Sequence, residues 1–151
     1  MKIRTLVQEQ WLPVPRDKVF AFFADAGNLD RITPPWMHFE VLTPRPIAMH
    51  PGALIDYRLK VRCLPIRWQS EITVWEPPHR FVDVQRRGPY RQWIHEHTFE
   101  ARDGGTLIRD SVVYAVPGWI LERLVHRWLV APDLRKIFEH RKTCIAEILR
   151  K

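Results

Sequence analysis

The sequence predicts an α+β domain in which an antiparallel sheet packs one face against a long C-terminal helix. Three observations carry this. Segments beyond residue 53 alternate apolar and polar residues with a period of two, which marks strands with one buried and one wet face. Thirteen prolines cut the chain into short elements, because proline is excluded from helix interiors and central strands. Residues 118–151 carry an apolar stripe at helical spacing. No repeat, linker or low-complexity tract interrupts this order, so residues 1–151 are expected to form one domain with a core of its own.

The elements follow from local composition. "KIRTLVQEQWL" reads as the first strand, and "PRDKVFAFFAD" as a short helix with proline at its start and Val19, Phe20, Phe22 and Phe23 along it. "NLDRITPPW" predicts a second short helix, capped by Asn28 and ended before Pro34-Pro35. "HFEVLT" is a short strand. In "ALIDYRLKV", Ile55, Tyr57, Leu59 and Val61 share a face; in "IRWQSEITVWE", Trp68, Ser70, Ile72 and Val74 do. The remaining strands are "RFVDVQRR", "RQWIHEHTFEA" and "TLIRDSVVYAV". In the final segment Leu121, Leu124, Val125, Trp128 and Leu129 form an apolar stripe, continued by Leu134, Ile137, Phe138, Ile145 and Ile148, with Pro132 kinking or dividing the helix.

Turn chemistry fixes the last hairpin. Asp103-Gly104 is a preferred pair for a two-residue type I′ turn, and centring the turn there pairs Arg102 with Gly105. Counting back sets Phe99 opposite Ile108, His97 opposite Asp110, His95 opposite Val112 and Trp93 opposite Tyr114. These eight residues share one face, which is richer in large apolar groups than the face carrying Glu96, Thr98 and Arg109, so it is the inward one. Two histidines and an aspartate therefore point into the protein. For residues 80–87 either Phe81, Asp83 and Gln85 or Val82, Val84 and Arg86 face in, since the loop around Gly88-Pro89 does not fix the register.

Composition excludes several classes. The chain is 46% hydrophobic with seven Trp and seven Phe, which argues against disorder. No apolar run reaches the roughly 20 residues that span a bilayer. The N-terminus lacks an apolar h-region, and Cys63 and Cys144 are the only cysteines, so a cytoplasmic protein with reduced thiols is expected. The formal charge is +7. Residues 122–151 hold eight basic and four acidic residues, and Arg86, Arg87 and Arg91 form a smaller group. No helix-turn-helix, zinc-finger or RNA-binding aromatic signature accompanies them, so specific nucleic-acid binding is not expected, while the charge leaves room for weak contact with an acidic membrane surface.

The segment order and its wording resemble the START/Bet v1-like (SRPBCC) superfamily, in its bacterial polyketide cyclase/dehydrase-like branch. The matching words are "LPVPRDKVFAFFAD", "NLDRITPPW", "WEPPHRFVDVQRRGPYRQWIHEHTFEARDGGTLIRDSVVYAVP" and "IFEHRKTCIAEIL", which together run along essentially the whole chain. The resemblance implies a helix-grip fold: a strongly curved antiparallel sheet wrapped around the C-terminal helix, with an apolar internal cavity. It also favours Phe81, Asp83 and Gln85 as the inward set. Members include lipid and sterol carriers, quinone binders and aromatase/cyclases, so the fold leaves function open.

Three chemical readings meet at "WIHEHTF". Histidines two apart on a strand face, with Asp110 or Asp83 as a third ligand, suit a metal, but the superfamily pattern does not include one. An imidazole facing a carboxylate suits general acid–base catalysis of a dehydration or cyclisation, with His95, His97 and Asp110 as candidates. No G-x-S-x-G nucleophile and no phosphate-binding glycine loop is present, and no cofactor is expected. The preferred reading is a pocket for a hydrophobic, oxygen-bearing small molecule such as a lipid, quinone or polyketide. Tyr57, Trp68, Trp93 and Tyr114 would wall it, and Asp83, Gln85, His95, His97 and Asp110 would orient the ligand. Mutual pairing of His97 with Asp110 as core polar groups is the plain alternative.

Overall fold

In the computed structural model, which describes residues 2–150, β1 (Arg4–Leu12), β2 (Glu40–Val41), β3 (Leu54–Val61), β4 (Leu64–Glu76), β5 (Arg80–Arg87), β6 (Gln92–Arg102) and β7 (Gly105–Ala115) form one sheet. Its order is β1-β7-β6-β5-β4-β3-β2, with every pairing antiparallel. Helices α1 (Arg16–Ala24) and α2 (Leu29–Ile32) follow β1, and α3 (Glu122–Val125) and α4 (Ala131–Leu149) close the chain. This is the helix-grip arrangement: a curved sheet holding a long C-terminal helix.

Local chemistry explains the elements that were expected. Pro15, with φ near −57°, precedes α1, whose first turn carries Asp17 and whose buried residues are Val19, Phe20, Phe22 and Phe23. Phe20 and Phe23 each bring their rings within 5.3 Å of Phe99, which docks α1 on the sheet. At the last hairpin Asp103 and Gly104 both have positive φ, 50° and 75°, as the type I′ turn requires. Arg102 pairs with Gly105 and His97 with Asp110, so the predicted register holds. Trp93, His95, His97, Phe99, Ile108, Asp110, Val112 and Tyr114 are all buried.

Other expectations are corrected. Asn28 makes no capping hydrogen bond; its amide instead donates to the Phe22 carbonyl, and Asp25 caps the single 3-10 turn before α2. "HFEVLT" forms a ladder of two residues, Glu40 and Val41, extended by the Leu42 N–H donating to the Asp56 carbonyl at 2.8 Å. The inward set of β4 does not run on to Val74, because the register against β5 shifts between Ile72 and Val74. That bulge turns Trp75 inward, where its ring centroid lies 5.2 Å from that of Phe20. Asp83 lies opposite the buried Ile72 on β4 and His95 on β6, and Phe81 opposite Trp75 and His97, resolving the ambiguous strand in favour of Phe81 and Asp83.

The C-terminal segment is not broken at Pro132; its irregularity falls one turn earlier. A π-helical turn spans His126–Val130 and runs on with helical dihedrals into α4, whose first turn holds Pro132. The apolar stripe is continuous in sequence but not in burial. Leu134, Phe138, Ile145 and Leu149 of α4 are buried, whereas Leu121, Leu124, Trp128 and Leu129 are exposed.

The interior contains two apolar clusters. One gathers α1, β3, Phe81, Phe99, Ile108 and Ile145; the other holds Trp93, Val112, Tyr114, Val116, Leu134 and Phe138. Between them lies a polar layer drawn from three elements at one level: His95 and His97 on β6, Asp110 on β7 and Arg141 on α4, all buried. Each large apolar side chain around this layer contributes about 1.5–3 kcal/mol by burial. The layer itself is costly to bury unless its members match one another.

Candidate functional site

The polar layer is matched internally. His95 Nε2 donates to Asp110 Oδ1 at 2.8 Å, and His97 Nε2 donates to Asp83 Oδ2 at 2.6 Å. His97 Nδ1 lies 3.3 Å from Asp110 Oδ1, a charge contact without hydrogen-bond alignment. Arg141 approaches the same Asp110 oxygen at 3.4 Å from across the grip and sets its guanidinium 5.3 Å from the centre of the Phe23 ring. The two imidazoles stack with centroids 3.7 Å apart, and Phe81 stacks on the other face of His97 at 4.1 Å.

This geometry assigns protons. Both ring nitrogens of His97 face a carboxylate oxygen, and a lone pair on either would be repelled, so His97 is the imidazolium. Burial works against that charge, but Asp110 and Asp83 overcome it and raise the His97 pKa. The His95 pKa is lowered, first by burial and then by repulsion from His97, which favours its neutral form. Burial alone would raise both carboxyls. The His97 hydrogen bond and charge instead bring Asp83 down, and Arg141, followed by His95 and His97, holds Asp110 well below the usual carboxylate range. Two anions and two cations therefore balance, with one neutral imidazole beside them.

The remaining predicted residues fall around this layer. Tyr57 is buried on β3, and burial together with the nearby Asp83 charge pushes its hydroxyl pKa up. The Trp68 indole donates to the buried Ser70 hydroxyl at 3.0 Å. Trp68 and Trp93 meet edge-on at 5.4 Å, Tyr90 lies 4.7 Å from Trp93, and the Tyr114 hydroxyl pairs with His126 Nε2 at 2.9 Å. Of the aromatic residues expected to wall a cavity, Trp68, Trp93 and Tyr114 thus close on one another, while Tyr57 packs on Phe39 at 5.0 Å. Gln85 is occupied by the β5–β6 loop: its amide donates to the Tyr90 carbonyl at 2.8 Å and accepts from the Tyr90 N–H at 3.1 Å.

Two surface hollows, of about 500 and 540 Å³, lie elsewhere, one beside Arg4 and Arg127 and the other between β1 and the end of α4. Asp83, His95 and His97 present donor atoms within 4.8 Å of one another, a spacing compatible with a metal ion. A cation there would have to displace the proton that His97 gives Asp83.

Sequence reasoning missed Arg141 and Tyr90. Arg141 carried a signal: it falls seven residues after Leu134, three after Phe138 and four before Ile145, on the buried face of α4. Tyr90 lies in a loop whose path no periodicity describes.

No curated protein sequence matches this chain. Among solved structures, the Zhui aromatase/cyclase from a Streptomyces species is similar at a TM-score of 0.77 and 14% identity, covering 98% of this chain and 94% of that one. A protein from Thermus thermophilus matches at 0.76 and 16% identity, with 95% of each chain covered. A ginseng major latex-like protein from Panax ginseng matches at 0.72 and 10% identity, with 99% of each covered. At these identities the likenesses establish the fold. No helix of the described residues is long and apolar enough to cross a membrane. The family model for polyketide cyclase/dehydrase and lipid transport matches residues 12–140, and the chain belongs to that family.

Proposed function

We infer that the protein binds a hydrophobic small molecule bearing an oxygen or a ring nitrogen, seated against the aromatic cluster of Trp68, Tyr90, Trp93 and Tyr114. The observation that carries this reading is the buried layer of His95, His97, Asp83, Asp110 and Arg141 between two apolar clusters. A core built for stability alone is served as well by apolar side chains at these positions. Buried polar groups converging beside aromatic walls are what a ligand-orienting site requires. Entry needs the aromatic side chains to part, and Tyr90, on a loop, is the one least restrained by strand pairing.

Native mass spectrometry of protein purified from its own host tests the reading, alongside tryptophan-fluorescence titration with a short-chain quinone and a naphthol. A mass above the bare 18.1 kDa chain, or saturable quenching weakened in Trp93→Ala, is the expected result. A bare mass with no quenching by either probe would sink it.

A second reading, a cyclase or dehydratase, is favoured by one observation: neighbouring imidazoles whose pKa values are driven apart. A neutral His95 next to an imidazolium His97 is a base beside an acid. Turnover of a linear poly-β-ketone mimic, lost in His95→Gln while binding is retained, would support it. Absence of turnover in the wild type would leave binding as the function.

A further inference from the structure

Residues 119–129 invert the usual pattern of a surface helix. Trp119 and Ile120 are 84% and 88% exposed, Leu121 and Leu124 each 56%, Trp128 64% and Leu129 42%. Two polar residues of the same segment, Glu122 and His126, turn towards the protein. Glu122 accepts from Arg4 Nε and Nη2 at 3.1 and 3.0 Å, and His126 pairs with the Tyr114 hydroxyl. The backbone holds the apolar residues out. Gly118 and Trp119 both take positive φ, 116° and 48°, and for tryptophan that conformation is unfavourable and gains no buried contact in return. A contiguous exposed apolar surface of this kind marks an interaction site.

Its charge selects the partner. Arg123 and Arg127 are exposed and, among the described residues, neither has a carboxylate partner. Both line a groove with Lys2, Arg4, Ile120 and Leu124, and Arg127 sits 5.3 Å from the Trp128 ring centre. Tryptophan and aliphatic side chains interleaved with arginine suit the headgroup–acyl boundary of an anionic bilayer. A second copy of this chain is a poor occupant, because two-fold pairing would set this basic rim against itself. Nucleic acid would leave the apolar surface in water.

We propose that residues 119–129 dock the protein on an anionic lipid bilayer, with Trp119, Ile120, Leu124 and Trp128 entering the interface and Arg123 and Arg127 meeting lipid phosphates. The docking is independent of any ligand in the grip.

The test is flotation of the full chain with ligand-free vesicles of phosphatidylcholine alone or mixed with phosphatidylglycerol. Binding is expected only with phosphatidylglycerol, accompanied by a blue shift of tryptophan emission. Arg123→Gln/Arg127→Gln should weaken it by about tenfold or more. Trp119→Ser/Trp128→Ser, at exposed positions that leave the fold intact by circular dichroism, should abolish the blue shift. No binding to either vesicle, equal binding to both, or wild-type binding by both variants would overturn the proposal. So would a dimer in light scattering that the tryptophan variant dissolves, which would make a second copy the occupant. An empty grip leaves all these readouts unchanged, so the outcome is separate from that of the ligand screen.

Discussion

His95 and His97 stack ring on ring, 3.7 Å between centroids, and their pKa values are driven in opposite directions. The asymmetry comes from their carboxylates. His97 is flanked by Asp83 at 2.6 Å and Asp110 at 3.3 Å, whereas His95 meets only Asp110. Once His97 is charged, its stacked neighbour is discouraged from charging as well.

Imidazole nitrogen NMR should therefore show two distinct states at neutral pH. His97 is expected as an imidazolium with both nitrogens protonated, and His95 as a neutral ring protonated at Nε2. Identical, co-titrating signals would contradict the assignment.

Stability should fall on both sides of a maximum near the ordinary histidine value of 6.5. The raised His97 stabilises fully below that value, and its contribution is lost as pH rises through the folded pKa. The lowered His95 stabilises above it, and its contribution is lost as pH falls through the folded pKa. Asp83 and Asp110, both lowered, add a further loss at more acid pH. Calorimetry across pH should show the alkaline decline removed in His97→Gln and the mid-acid decline softened in His95→Gln. Profiles unchanged from wild type would refute this.

Breaking the charge balance should cost more than removing it as a unit. Asp110→Asn leaves Arg141 and His97 facing no full countercharge at that oxygen, and about 3–5 kcal/mol of destabilisation is expected. Asp110→Asn combined with Arg141→Met should cost less than the two single changes added together, as read by urea unfolding. Strict additivity would mean that the two side chains do not interact.

The last hairpin offers a steric test of the sheet edge. A Cβ on Gly105 would meet the Leu12 carbonyl oxygen at 2.2 Å and the Trp11 ring at 2.8 Å, both on the paired strand. Gly105→Ala should therefore destabilise by about 1–3 kcal/mol. A Cβ on Gly104 meets nothing within 4 Å, but its φ of 75° is strained for alanine, so Gly104→Ala should cost about 1 kcal/mol. Thermal unfolding of the two variants checks that order.

How far the site was legible follows from these contacts. The Asp103-Gly104 turn is short-range chemistry, and it was enough to place His95, His97 and Asp110 on one inward face. Which histidine holds which carboxylate was not available from pairing. His97 lies opposite Asp110 on the ladder, yet its short hydrogen bond goes to Asp83, and Asp110 receives its own from His95. Side-chain reach along the diagonal outweighed direct opposition.

The sequence by itself determined the element order, the α1 packing face, the last hairpin's register and the buried face of α4, because each depends on periodicity or a turn type within a few residues. Only the tertiary structure decided the rest. Pairing of β5 with β6 set Asp83 opposite His95 on the inward face, α4 brought Arg141 to Asp110 across the grip, and the sheet left Trp119 to Leu129 uncovered although their spacing matches that of buried residues. Periodicity states which side chains share a face. What that face meets is set by elements distant in the chain.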